Sequence, residues 1–493
     1  MKKIVASITL ALGLWFLGSL RPVLHAQNSR TDLLEAERQG SETSKHPRFT
    51  FKVGHRVMKI QVPGSVEIQP GVRETRLVDV HLWYPANLWD YFHAPPTQYT
   101  SALNGKALSP LWDPLSWSVV SLSAREGPSI FRWAPKFPVI VFSHGSTNVP
   151  IDYAFTMEDL ASAGFVVAAP NHVNNTQDDV RMDFANTQAV LKGYPPPFKC
   201  LDGRPSPCSR VQVPQNMADR VHDITAVLDA VAGELENRVD LNRVGVFGHS
   251  RGTVTALTAA GGSTIWNVTA ERRIKAIMGM AIGAPAITFN ADISKIIQPT
   301  LLVAGTRDTT SPASVSERAF ELLATPDDDK QYIAIENAVH RTFDSTYCEQ
   351  MQSSAAIAQG NPPTLQGNPR ALLDRQTATV LLTTPNSGLP MEYCGFEAFS
   401  TPADIKPFVK AVTGFVVTEN NVPTTTLTTA DLRPVISKLA IAFFEDVIGR
   451  PGSRWHRFQD DFPIGWLIRH HSSRSRSDEY WEADERCFAD NEC

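Results

Sequence analysis

The sequence predicts an α/β fold, with a mostly parallel central sheet flanked by helices and two cap-like insertions. Three observations carry this prediction. Short runs that are apolar throughout, such as FPVIVFSHG, FVVAAP and PTLLVAGT, read as strands buried on both faces. Segments with apolar residues at helical spacing alternate with them. Two Pro/Gly-rich stretches break the alternation: residues 180–215, containing GYPPPFKCLDGRPSPCSR, and residues 343–425, containing NPPTLQGNP and TTPNSGLPMEYCGF.

The elements follow in order. Lys2 and Lys3 precede the apolar run IVASITLALGLWFLGSL, and Leu24-His25-Ala26 puts a small residue at a cleavage point. Residues 1–26 therefore read as an export signal, although a run of about 17 residues could nearly span a bilayer as an uncleaved anchor. Residues 27–50 are polar. From Val57 the chain turns β-rich, with VMKIQV and then TRLVDVHLWYP, where Val78, Val80 and Leu82 alternate with polar partners. Residues 85–135 are rich in Trp, Pro and Ser and suggest no regular element.

FPVIVFSHG then reads as a strand, YAFTMEDLASAG as a helix closed by Gly164, and FVVAAP as a strand. Residues 216–235 read as a helix, RVGVFGHS as a strand, RGTVTALTAAGG as a helix and RIKAIMGMA as a strand. PTLLVAGT, SVSERAFELLA and KQYIAIE continue as strand, helix and strand, and DLRPVISKLAIAFFEDVIG is the final helix. One catalytic-type domain thus spans 51–448, with the insertions at 180–215 and 343–425 and a polar C-terminal tail at 449–493.

Composition narrows the function classes. A chain of 493 residues with 42% hydrophobic and 20% charged content is an ordinary globular one. A net charge of −5 with no basic stripe gives nucleic-acid binding no support. No stretch after the signal is long and apolar enough for a stable membrane span, so the expected location is secreted or periplasmic. The sequence sets no oligomeric state. Six cysteines suit export and favour disulfides. Proximity along the chain favours Cys200–Cys208, Cys348–Cys394 and Cys487–Cys493. No CxxC or clustered His/Cys spacing supports a zinc site, so no metal and no cofactor are expected.

The chemistry concentrates in VGVFGHSRGTVTAL. Gly248-His249-Ser250-Arg251-Gly252 matches G-x-S-x-G, a weak signal alone but a specific one between a buried strand and a helix. Small glycines let the backbone turn sharply and lift the Ser250 hydroxyl above the sheet, and the helix start offers backbone N–H groups to a developing oxyanion. A serine nucleophile needs a base and an orienting carboxylate, expected downstream in the order Ser, acid, His. Asp308 in PTLLVAGTRDTTSP and His340 in KQYIAIENAVHRTFD fit that order and those loop positions.

The alternatives are weaker. His249 is the elbow's own variable residue, His222 lies in a helix, and His456, His470 and His471 fall in the tail. His172 precedes the serine and reads as a structural or site-wall histidine. Glu336 and Asp344 lie near His340 but do not end the penultimate strand. The backbone N–H of Arg251 is the first expected oxyanion donor. The second is that of Ser146, just past the bend His144-Gly145, which could otherwise be a plain strand-terminating turn.

FSHGSTNVPIDYAFTMEDLASAGFVVAAPNH, RVGVFGHSRG, IKAIMGMA, PTLLVAGTRDTTSP and ENAVHRTFD resemble the platelet-activating-factor acetylhydrolase-like branch of the α/β-hydrolases, often labelled predicted dienelactone hydrolase. The resemblance also takes in VDVHLWYPA and covers roughly residues 55–345 and the last helix. It implies an α/β-hydrolase fold and a metal-free esterase acting on small-molecule or lipid carboxylic esters. Its nucleophile, acid and base fall on Ser250, Asp308 and His340, and its oxyanion donors on Ser146 and Arg251. GHSRG is also similar to the chlorophyllase elbow, but Thr253 stands where a further glycine is usual there.

Dienelactone hydrolases proper use cysteine, so that label does not describe the reaction. Both insertions would emerge on the catalytic side and enclose the pocket, favouring short or medium acyl groups. Lipase-like, chlorophyllase-like or polyester-hydrolase activity, or a non-catalytic binding protein on the same fold, are the alternatives.

Overall fold

Among the described residues of a computed structural model of the chain, eleven strands form one sheet in the order β11-β10-β9-β8-β7-β5-β6-β2-β1-β4-β3. The structure describes residues 51–69, 72–101, 117–191, 193, 195–196, 215–308, 310–346, 429–449 and 467–471. All six cysteines, and with them the three expected disulfides, lie outside the described residues, as does nearly all of the 343–425 insertion.

The strands are β1 (Val53–Gln69), β2 (Val72–Pro85), β3 (Pro96–Ser101), β4 (Trp117–Glu126), β5 (Phe137–Ser143) and β6 (Val166–Pro170). They continue as β7 (Val239–His249), β8 (Ile274–Met280), β9 (Thr300–Gly305), β10 (Lys330–Ile335) and β11 (Leu467–His471). From β6 through β5, β7, β8 and β9 to β10 every pairing is parallel. β2 joins antiparallel to β6 and to β1, and β11 antiparallel to β10. The sheet is therefore mostly parallel, as its apolar strands predict.

Successive residues of a strand point to opposite faces, and here both faces are covered. Val139 and Val141 enter one core with Val244 and Val246. There they meet α4 (Gln215–Glu234) through Val221, Ile224 and Leu228, and α5 (Arg251–Gly261) through Val254 and Leu257. Ile140 and Phe142 enter the other core with Phe247. That side is closed by α2 (Ala154–Ser162) and by α8 (Thr429–Ile448), whose Leu432, Ile436, Leu439 and Phe443 recur at helical spacing. The remaining helices are α1 (Leu88–His93), α3 (Gln177–Leu191), α6 (Pro285–Thr288) and α7 (Ala313–Leu322). No helix among the described residues is long and apolar enough to cross a membrane.

Three segments differ from the sequence reading. Residues 85–135 contain α1, capped by the Asn87 side chain accepting from the Trp89 and Asp90 N–H groups, and the strands β3 and β4. The stretch expected to break the rhythm at residue 180 instead opens inside α3. The tail supplies β11, which places His470 and His471 on an edge strand. These are short, polar or edge elements, whose sequences lack an apolar period.

Candidate active site

The elbow is built where β7 runs into α5. Ser250 holds φ 55° and ψ −122°, a left-handed region costly for a residue with a side chain. Its N–H donates to the Met280 carbonyl at 2.9 Å, and its carbonyl accepts from Thr253 at 3.0 Å and from Gly283 at 3.1 Å. The flanking glycines are required by space: a Cβ on Gly252 would lie 1.8 Å from the Ser143 carbonyl oxygen, and one on Gly248 2.3 Å from Gly252. The Thr253 hydroxyl donates to the Gly248 and Met280 carbonyls at 2.9 and 2.8 Å, fastening the turn to β8.

Asp308 follows β9 and His340 follows β10, both past the carboxyl ends of parallel strands, where ligands bind in open α/β sheets. The buried Asp308 carboxylate accepts from His340 Nδ1 at 2.8 Å through Oδ2. Its other oxygen accepts from the Thr310 and Ser311 N–H groups at 2.9 and 2.7 Å, so the carboxylate cannot swing away. The rival acids stand elsewhere. Glu336 is exposed, while the buried Asp344 pairs with Arg341 at 2.8 Å and accepts from the Asn148 side chain at 3.1 Å.

His249 is buried against the catalytic-type imidazole, its ring centroid 4.6 Å from that of His340. Burial first, and then the neighbouring His340, push its pKa well below the usual imidazole value, so it is neutral. Its Nδ1 bonds the Tyr153 hydroxyl at 2.7 Å, and that hydroxyl accepts from the Gly145 N–H at 3.3 Å. With its proton donated to Nδ1, the hydroxyl joins the elbow to the loop after β5.

The loop after β5 is fixed by a histidine side chain. The His172 backbone N–H donates to His144 Nε2 at 3.1 Å, so the other ring nitrogen, Nδ1, carries the proton it donates to the Gly145 carbonyl at 2.7 Å. Carbonyl and N–H point oppositely across a trans peptide, so holding the Gly145 carbonyl aims the Ser146 N–H the other way. Burial and then Arg220 keep His144 neutral. The Arg251 N–H belongs to the first turn of α5.

Behind this loop lies a buried polar cluster that sequence reasoning missed. His172 bonds Asp223 through Nδ1 at 2.8 Å and the Ser143 hydroxyl through Nε2 at 2.9 Å. Asp223 also pairs with Arg76 at 2.8 Å, and Arg220 donates to Ser143, to Asn175 and to the His144 carbonyl. His172 is thus a support behind the loop that follows β5. The available signal was Arg220 itself, a charge in helical register with Met217, Ile224 and Val227 on the buried stripe of α4.

Two family models match the chain. PET hydrolase-like covers residues 204–358, a range holding Ser250, Asp308 and His340, and platelet-activating factor acetylhydrolase, isoform II, covers residues 88–181. The platelet-activating factor acetylhydrolase of Gallus gallus is 25% identical over 239 residues, 43% of this chain and 54% of the relative. Those of Bos taurus and Canis lupus familiaris are 25% and 26% identical over 43% and 53% of this chain, and over 49% and 59% of their own lengths. The chain spans about half the length of the curated relatives it matches. A ferulic acid esterase from Streptomyces cinnamoneus superposes with a TM-score of 0.44 at 20% identity, covering 83% of this chain and 94% of that one, a likeness too loose to argue from. The mostly parallel sheet is of the α/β-hydrolase type, and over part of its length the chain is similar to platelet-activating factor acetylhydrolases and to PET hydrolase-like proteins.

Proposed function

We propose that this chain is an exported serine esterase that hydrolyses carboxylic esters through an acyl-enzyme. The observation that carries the reading is the 2.8 Å bond between Asp308 and His340 on adjacent strand ends, with the His340 ring 4.6 Å from that of His249, the residue that precedes a serine in an elbow conformation. In this reading His340 takes the Ser250 proton as Oγ attacks the ester carbonyl. Asp308 holds the imidazole and stabilises the imidazolium. The oxyanion of the tetrahedral intermediate is bound by the N–H groups of Ser146 and Arg251. As the intermediate collapses, the proton passes from His340 to the departing alkoxide. Water, deprotonated by the same His340, then attacks the acyl-enzyme, and the proton returns to Ser250 as the acid leaves.

The substrates we infer are small-molecule or lipid esters with short or medium acyl groups, met in a secreted or periplasmic setting. The names of the acetylhydrolase relatives support a short acyl group, and the lysine-led apolar N-terminus supports export. The PET hydrolase-like match favours a second reading, cleavage of aromatic polyesters at the same site.

A fluorophosphonate should label the purified protein once, and Ser250→Ala should abolish both labelling and hydrolysis of p-nitrophenyl esters while remaining folded. Hydrolysis by Ser250→Ala above a few per cent of wild type would sink the nucleophile assignment. A panel from acetate to palmitate, with a polyethylene terephthalate film beside it, separates the two substrate readings.

A further inference from the structure

The reaction as written leaves the guanidinium of Arg220 without a part. It is fully buried and makes four hydrogen bonds, none of them to a carboxylate. Nε donates to Thr255 Oγ1 at 2.8 Å and Nη1 to Asn175 Oδ1 at 2.6 Å. Nη2 donates to Ser143 Oγ at 3.0 Å and to the His144 carbonyl.

These acceptors belong to different parts of the site. Thr255 lies on α5, the helix opened by the elbow. Ser143 and His144 carry the oxyanion loop, and the Asn175 carbonyl accepts from the Thr147 N–H at 3.1 Å in that same loop. One rigid fork therefore joins the nucleophile helix to both sides of the oxyanion loop.

Such a cation is expensive. Its burial first, and then the nearby Arg251, oppose the charge, and Asp223 offsets them only in part. A well-packed apolar set in place of the whole polar cluster is often as stable, so stability alone does not account for a guanidinium here. Catalysis does. Oxyanion donors act only when held within a few tenths of an ångström of the position the oxygen takes in the transition state.

We propose that Arg220 is a positioning residue: it locks the oxyanion loop against α5 so that the Ser146 N–H stays aimed at the developing oxyanion. This inference rests on the esterase reading above. The order of connection is explicit. Arg220 holds the His144 carbonyl, His144 Nδ1 holds the Gly145 carbonyl, and the Gly145–Ser146 peptide presents the N–H. Because the clamp serves the tetrahedral state more than the bound ester, its loss falls on kcat and spares KM.

The test compares wild type with Arg220→Met, which keeps length and loses the donors, and with Thr255→Val and Ser143→Ala, which keep the guanidinium and each remove one acceptor. On p-nitrophenyl acetate, Arg220→Met should lose about 10²-fold in kcat, on the scale of losing one oxyanion donor. Its KM should stay within about threefold of wild type. Affinity for a trifluoromethyl ketone, which forms a tetrahedral adduct with the serine, should fall by the same factor as kcat/KM. Thr255→Val and Ser143→Ala should show the same pattern at about three- to tenfold.

A folded Arg220→Met with kcat and ketone affinity near wild type, even with a lowered melting temperature, overturns the proposal. If Arg220→Met does not fold, unchanged kcat and ketone affinity in both other variants overturn it. Ser250→Ala is assayed alongside. Activity surviving there overturns the esterase reading, whereas Ser250-dependent activity indifferent to the clamp overturns this inference alone.

Discussion

Ser250 and Asp308 are each held by the backbone around them. The serine's left-handed φ of 55° is kept by bonds from its own amide and carbonyl to β8 and the loop beyond it, and by glycines that admit no Cβ. The Asp308 carboxylate is held through three acceptor contacts, and only one of them reaches His340. Asp308→Asn should keep the two backbone contacts, and with them the loop, but lose the anion that sets the tautomer of His340. We expect kcat to fall on the order of 10⁴-fold with KM little changed. Near-normal turnover in Asp308→Asn, combined with a dead Glu336→Gln, would reassign the acid. His249, by contrast, could not have been placed from its sequence position. Any residue type can fill the variable site of the elbow, and only the fold brings this ring against His340 and Tyr153.

Among the elements, α8 and β7 approach each other closely. Phe444, fully buried on α8, packs so near Gly245 of β7 that a Cβ there would lie 2.5 Å from its ring, and it also meets Phe247 edge-on. Phe444→Ala should cost roughly 3–5 kcal/mol, the usual range for an emptied aromatic core site. Urea titration should show a lower midpoint while the folded fraction keeps wild-type kcat, and an unchanged midpoint would mean that α8 is not bound to the sheet as described. The sequence made these elements readable because strands buried on both faces need apolar residues at every position, and α8 repeats its apolar stripe. It hid β3, β4 and α3 for the converse reason. The edge strand Pro96–Ser101 exposes Gln98 and Thr100, and α3 is as polar as a loop. β11 is shorter still, and its LIRHH shows no strand alternation.

Over the whole molecule, the site is braced by imidazoles that must stay uncharged. His144 and His249 are both fully buried, and burial is the largest influence holding each pKa well below the ordinary value. Protonated, His144 would turn its Nε2 from acceptor to donor against the His172 N–H, which can only donate. The linkage has a definite sign. In the unfolded chain each imidazole takes up a proton near pH 6.5, while in the folded chain it does not, so the unfolded state binds more protons below that pH. Stability from these groups is therefore complete above about pH 6.5 and drains away as pH falls toward the depressed folded values. Between pH 7 and 5.5 each residue should contribute a loss of about 1 kcal/mol, before most carboxylates begin to titrate. Urea midpoints measured at half-unit steps should fall steadily over that interval. His249→Phe, which keeps an aromatic ring against His340 and removes the titrating nitrogen, should have a shallower slope whatever its midpoint at pH 7. A slope identical to wild type would mean that His249 is protonated, or solvated, in the folded protein.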